Sequence, residues 1–103
     1  MQNVTPFQAH EILSKKPTAL LVDVREPDEV AEISVPDAKN IPLSAFTTRL
    51  NELAGFSDIF FLCHSGGRSM RATMFAESVG LKNVYNITGG IMSWEMAGLP
   101  IKQ

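Results

Sequence analysis

Asp58-Ile59-Phe60-Phe61-Leu62-Cys63-His64-Ser65-Gly66-Gly67-Arg68-Ser69 is the stretch on which the reading of this chain turns. From Ile59 to Leu62 it is aromatic or aliphatic without a polar break, the composition of a strand covered on both faces. At the strand's tip stands a cysteine. Small residues and two glycines follow, and glycine tolerates a tight curl because it has no Cβ to clash at positive φ. Beyond the curl, Ala72, Phe75, Ala76 and Val79 keep i, i+3, i+4, i+7 spacing, which predicts a helix with these four on its buried face and Gly80 at C′. Strand, curl and helix in that order aim the free N–H groups of the helix start back at the cysteine sulfur. Successive amides in such a curl form a nest for an anion. Cys63 is therefore expected to titrate below the value of about 8.5 found for a free thiol.

Working outward, Thr5-Pro6-Phe7-Gln8 reads as a helix start, with Thr5 as N-cap, Pro6 at the first helical position and Gln8 closing a capping box. Ala19-Leu20-Leu21-Val22-Asp23-Val24 is a short run without alternation, expected to be a buried strand. Pro27-Asp28-Glu29 begins a short helix, with its carboxylates near the positive end of the dipole. Lys39 to Pro42 predicts a very short strand, and Ser44 to Gly55 a helix with Phe46, Leu50 and Leu53 on one face. Asn83 to Ile87 is a further strand, and Gly89-Gly90 turns the chain into a last helix through Trp94, closed by Gly98 and Pro100. Trp94, Tyr85 and Phe75 read as core, and Met70 and Met74 as helix packing or cleft lining. Strands alternating with helices predict an α/β fold with a parallel sheet, in which a site lies at the carboxyl ends of the strands where the strand order switches.

The bulk properties bound the function. With 103 residues the chain forms one domain, 1–103, and a chain of this size buries roughly 60–70% of its unfolded surface without needing a disulfide. The single cysteine excludes an internal disulfide and a CxxC metal or redox site, and favours a reducing compartment. A net charge of −2 with no basic run gives no nucleic-acid surface. The longest apolar runs, about five residues, fall far short of the roughly 20 needed to span a membrane, and the start lacks the pattern of a signal peptide. The expected location is cytoplasmic.

Cys63-His64-Ser65-Gly66-Gly67-Arg68-Ser69 resembles the active-site loop of rhodanese-like domains. So does its frame: Leu21 to Pro27, Asn40-Ile41-Pro42-Leu43, and Asn83 to Ile91 followed by Trp94. These blocks stand in the family's order and cover nearly the whole chain. The resemblance implies a five-stranded parallel sheet with helices on both faces and a sulfurtransferase that needs no metal or organic cofactor. In that cycle the Cys63 thiolate takes the sulfane sulfur of thiosulfate or a persulfide and passes it to cyanide, a thiol or a protein acceptor. The amides of His64 to Arg68 would hold the outer sulfur, and Arg68 would bind an anionic donor. His64 reads equally as a substrate contact or a solvent-facing side chain, and Ser69 as a helix cap or a hydrogen-bond donor to sulfur. Asp23 and Arg25 read as cleft-flanking residues or as a structural ion pair.

Two other classes stay open. One is a sulfur carrier or interaction module serving a protein partner. The other is a phosphatase or arsenate reductase on the same fold. The Cys-x4-Arg spacing weighs against a phosphatase, whose Cys-x5-Arg ring wraps three phosphoryl oxygens, whereas a shorter ring suits one sulfur atom. The lack of a second cysteine weighs against a reductase with an internal resolving thiol. The family commonly reads Gly-His-Ile-Pro-Gly-Ala before the Asn-Ile-Pro block. Here Ile33-Ser34-Val35-Pro36-Asp37-Ala38 stands instead, so a different turn is expected there.

Overall fold

The computed structural model describes residues 1–103. Five strands, β1 (Gln2–Val4), β2 (Ala19–Asp23), β3 (Lys39–Asn40), β4 (Asp58–Leu62) and β5 (Val84–Ile87), form one sheet in the order β1-β5-β4-β2-β3. Every pairing is parallel. The helices are α1 (Pro6–Lys15), α2 (Pro27–Glu32), α3 (Gly67–Ser78) and α4 (Gly90–Met96). α1 starts where the capping box placed it: the Thr5 hydroxyl accepts from Gln8 N–H, and Gln8 Oε1 accepts from Thr5 N–H.

The pleat of β4 divides the core. Ile59, Phe61 and Cys63 face one side, packed with Val22, Phe46, Leu53, Ala72 and Ala76. Phe60 and Leu62 face the other, with Ala9, Leu21, Ile87, Ile91 and Trp94. The sheet is thus covered on both faces, by α3 and the 43–53 segment on one and by α1 and α4 on the other. β2 and β4 lie side by side with Asp23 opposite Leu62, and the chain leaves this pair in opposite directions, to β3 and to β5. Their carboxyl ends are therefore the switch in strand order, the place where parallel sheets build sites. Cys63 is the next residue.

Two expectations are corrected. Residues 44–55 do not form one helix but two 3-10 turns, Leu43–Ala45 and Leu50–Leu53. The interruption falls at Thr47-Thr48, two adjacent β-branched residues that disfavour helix. Phe46 and Leu53 are buried all the same, and Phe46 meets Phe61 edge to face at 5.5 Å. In α3 the buried face is Ser69, Ala72, Thr73 and Ala76, whereas Phe75 and Val79 are exposed. Small side chains let this helix lie close on β4 and β5, and the Thr73 hydroxyl is satisfied by Ser69 O at 2.7 Å. Met70 and Met74 are also exposed, Tyr85 is half-buried, and Trp94 is core. The sheet has the five parallel strands that the resemblance implies, and the residue pattern by itself located four of them. The fifth, β1, pairs with β5 through only three residues at the sheet edge, too short and too exposed to leave a pattern.

The turn before β3 keeps a left-handed residue although its glycine is missing: Asp37 has φ 68°. Ser34 is held by a two-bond backbone bridge to Lys102. No helix is long and apolar enough to cross a membrane.

Candidate active site

β4 carries Cys63 to the switch point and buries its side chain on the α3 face. The curl that follows depends on Gly66, the N-cap of α3, whose φ of 112° belongs to glycine; Gly67 is already helical and has no such need. In this conformation Gly66 N–H donates to Cys63 Sγ at 3.0 Å, and the Ser69 hydroxyl lies 3.3 Å from the same sulfur. Burial alone pushes the Cys63 thiol up. The Ser69 hydroxyl and the amides of Ser69, Gly66 and Ser65 outweigh it, and the thiol is held below its ordinary value. Gly67 and Arg68, in the first turn of α3, bring further N–H groups with no acceptor inside the helix. His64, Ser65 and Gly67 are exposed around the mouth of the loop.

The second helix start at the site acts on the loop backbone. Ile91 N–H donates to Cys63 O at 2.8 Å, and Met92 N–H to His64 O at 3.3 Å. Gly90 is what permits this approach, since a Cβ there would stand 2.4 Å from His64 O and 2.5 Å from Cys63 O. The Gly89-Gly90 pair, read from sequence only as a turn, thus also sets the position of the thiol.

Arg68 makes a two-pronged ion pair with Glu29 of α2, Nη1–Oε1 at 2.6 Å and Nη2–Oε2 at 2.9 Å, and both side chains are about one-third exposed. The Arg68 hydrogen bonds hold the Glu29 carboxyl at about 2, against an opposing contribution from burial. Sequence reasoning missed this partner, seeing Glu29 only as a helix-start carboxylate. Because the pKa of Glu29 is depressed, its stabilisation is complete above the ordinary value of 4.5 and fades as pH falls towards 2. Glu29→Gln is accordingly expected to cost about 1 kcal/mol or less at pH 7, as suits a partly solvated pair. Urea denaturation should show that difference shrinking on acidification; a constant gap from pH 7 to pH 3 would assign it to something else.

Asp23 and Arg25 are buried and occupied with one another. Arg25 Nη2 and Nε bond the Asp23 carboxylate at 2.8 to 3.2 Å, and Arg25 N–H donates to Asp23 Oδ1 at 3.0 Å. The same guanidinium reaches Ile33 O at 2.6 Å and Glu29 O at 3.4 Å, the carboxyl end of α2. Of the two sequence readings, the ion pair describes this placement: Arg25 is folded inward, clamping α2 to the end of β2, and α2 in turn presents Glu29 to Arg68.

The chain is thus a parallel α/β domain that sets a single thiol among loop amides at the switch in strand order. The chain belongs to the rhodanese-like domain family, whose model matches residues 5–97. It is 39% identical over 82 residues to a sulfurtransferase of Allochromatium vinosum, covering 80% of this chain and 77% of that protein. It is 36% identical over 74 residues to the putative sulfur carrier protein YrkF of Bacillus subtilis, covering 72% of this chain and 40% of that one. Several other relatives are likewise longer, the chain spanning less than half of their length. Among solved structures, a rhodanese-related protein of Thermoplasma volcanium superposes with a TM-score of 0.89 at 28% identity, over 99% of this chain and 98% of that one.

Proposed function

We propose that the chain is a sulfurtransferase that works through a persulfide on Cys63. The observation that carries this reading is the sulfur of Cys63 lying 3.0 Å from Gly66 N–H at the centre of a short amide curl. A thiolate so held attacks the sulfane sulfur of thiosulfate, forming the Cys63 S–S bond while the donor's S–S bond breaks and sulfite departs with the electron pair. With a persulfide donor the leaving group is the donor's thiolate. The outer sulfur is negatively charged, and the unpaired N–H groups of the loop stabilise it as they would any developing anion. An acceptor thiolate, a protein thiolate or cyanide then attacks the outer sulfur, and Cys63 leaves as thiolate. The four residues between Cys63 and Arg68, with Arg68 bound to Glu29, suit one sulfur atom better than a phosphoryl group.

Intact-mass measurement tests this directly. Treatment with thiosulfate or glutathione persulfide is expected to add one sulfur, about 32 Da, which cyanide removes and Cys63→Ser prevents. No mass gain with either donor would overturn the proposal.

One observation favours a second reading, in which a protein takes the sulfur and thiosulfate turnover is incidental. The Arg68 charge is shared with Glu29, which weakens it as a dock for a small dianion. Fast transfer from the loaded chain to a protein thiol, alongside slow turnover of thiosulfate and cyanide, would select the carrier.

A further inference from the structure

Behind the thiol, away from the mouth of the loop, Ser69 heads a row of polar side chains whose further members the transfer cycle does not use. Ser69 Oγ is 3.3 Å from Cys63 Sγ, 3.2 Å from Gly66 O and 2.5 Å from Asn86 Oδ1. Asn86 Nδ2 in turn donates to Asn3 Oδ1 at 3.0 Å, from the middle of β5 to the edge strand β1. Ser69 and Asn86 are buried, so no solvent supplies a missing partner.

The hydroxyl of Ser69 has one proton and three acceptors around it. Given to Asn86 Oδ1, the nearest, it leaves an oxygen lone pair facing Cys63. That arrangement suits a neutral thiol, whose S–H can donate to Ser69. It opposes a thiolate, which would face a lone pair across 3.3 Å. A thiolate requires the Ser69 proton to turn to sulfur, and then Asn86 Oδ1 in its turn faces a lone pair. A half-turn of the Asn86 amide resolves the conflict. Nδ2–H then donates to Ser69 Oγ, while Oδ1 accepts from the amide of a likewise turned Asn3. Both directions leave every link of the row bonded.

We infer that Asn86 is a positioning residue whose amide, together with that of Asn3, forms a reversible hydrogen-bond row that follows the protonation of Cys63 through Ser69. The inference rests on Cys63 being the reacting thiol. The charged groups on the other sides of that thiol are Arg68 on α3, Glu29 on α2 and the Asp23–Arg25 pair at the carboxyl end of β2, with His64 adjacent in the chain. β5 offers no charge there, since Tyr85 lies on the opposite face against Phe60. The polarity of the row is thus the lever on this side.

A carboxylate accepts hydrogen bonds and donates none, so Asn86→Asp locks the Ser69 proton away from sulfur. Asn3→Asp does the same from one link further, at an exposed position where the fold tolerates it. The measurement is the rate of iodoacetamide alkylation of the single cysteine against pH, followed by mass, which reports the thiol whether or not sulfur is transferred. Each variant is expected to slow alkylation at pH 7 on the order of threefold to tenfold, with an unchanged rate at high pH, as an upward pKa shift requires. In a Ser69→Ala background the same substitutions are expected to change the rate by less than about twofold. Unmoved profiles, or shifts of equal size with and without the Ser69 hydroxyl, would overturn the inference. Persulfide loading by the parent chain is scored separately.

Discussion

Gly90→Ala is expected to cost several kcal/mol of stability and at least a hundredfold in persulfide loading. The added Cβ would overlap the carbonyls of Cys63 and His64 at 2.5 and 2.4 Å, and both are backbone atoms that no side-chain rotation relieves. The residue would also have to hold φ at +59°, which costs an L-residue about 1–2 kcal/mol. If the loop yields instead, the bond from Ile91 N–H to Cys63 O is lost and the sulfur leaves its amide ring. Gly67→Ala provides the control, since it lies in the same region at a helical φ with open space around it. It is expected to be neutral or to stabilise by up to about 1 kcal/mol through lower chain entropy. Thermal denaturation and mass-detected loading of the two variants separate steric displacement of the thiol from a general intolerance of change near it.

Arg25→Met is the second large effect. It leaves the Asp23 carboxylate buried with its guanidinium gone, and it frees Ile33 O and Glu29 O at the end of α2. Breaking one side of a buried pair costs about 3–5 kcal/mol, which for a domain of this size is on the order of 15–25 °C in Tm. The consequence reaches the site through α2, because Glu29 loses the support that sets it against Arg68. The folded fraction of Arg25→Met should therefore show weakened coupling between Glu29 and Arg68. In a double-mutant cycle the Glu29→Gln penalty is expected to fall in that background. A Tm within a few degrees of the parent would mean that the pair is dispensable to the fold.

Much of this was legible before any coordinates. Ile59 to Leu62 admit no polar residue and so announce a strand buried on both faces. Cys63 followed by Ser65, Gly66 and Gly67 marks a tight curl, although only Gly66 takes the left-handed φ. Thr5, Pro6 and Gln8 carry their capping chemistry within four consecutive positions. What escaped depends on partners distant in the chain. Arg68 stands 39 residues from Glu29 and Ser69 stands 17 from Asn86, and neither residue type at those separations signals a contact. The face of α3 was misassigned because hydrophobicity marks Phe75 and Val79. The helix instead turns Ser69 and Thr73 inward, which is permitted because each hydroxyl finds an acceptor, and only Ser69 reaches the thiol. The 43–53 segment buries the residues its spacing suggested but not in the expected helix, since burial needs only the period while a helix also needs residues that keep it wound.

The three-residue pairing of β1 with β5 bears on how the domain is made on the ribosome. Asn3 and Asn86 are 83 residues apart, so at roughly 5–20 residues per second the first strand waits on the order of 4–17 s for its neighbour to be translated. Over the last stretch of that interval, from Leu62 to Asn86 and on the order of 1–5 s, β4 presents an unpaired edge, the kind that recruits other chains, and Cys63 has no Asn86 behind it. Completion of the fourth crossover is thus the step at which a nascent chain both loses its adhesive edge and acquires a mature thiol.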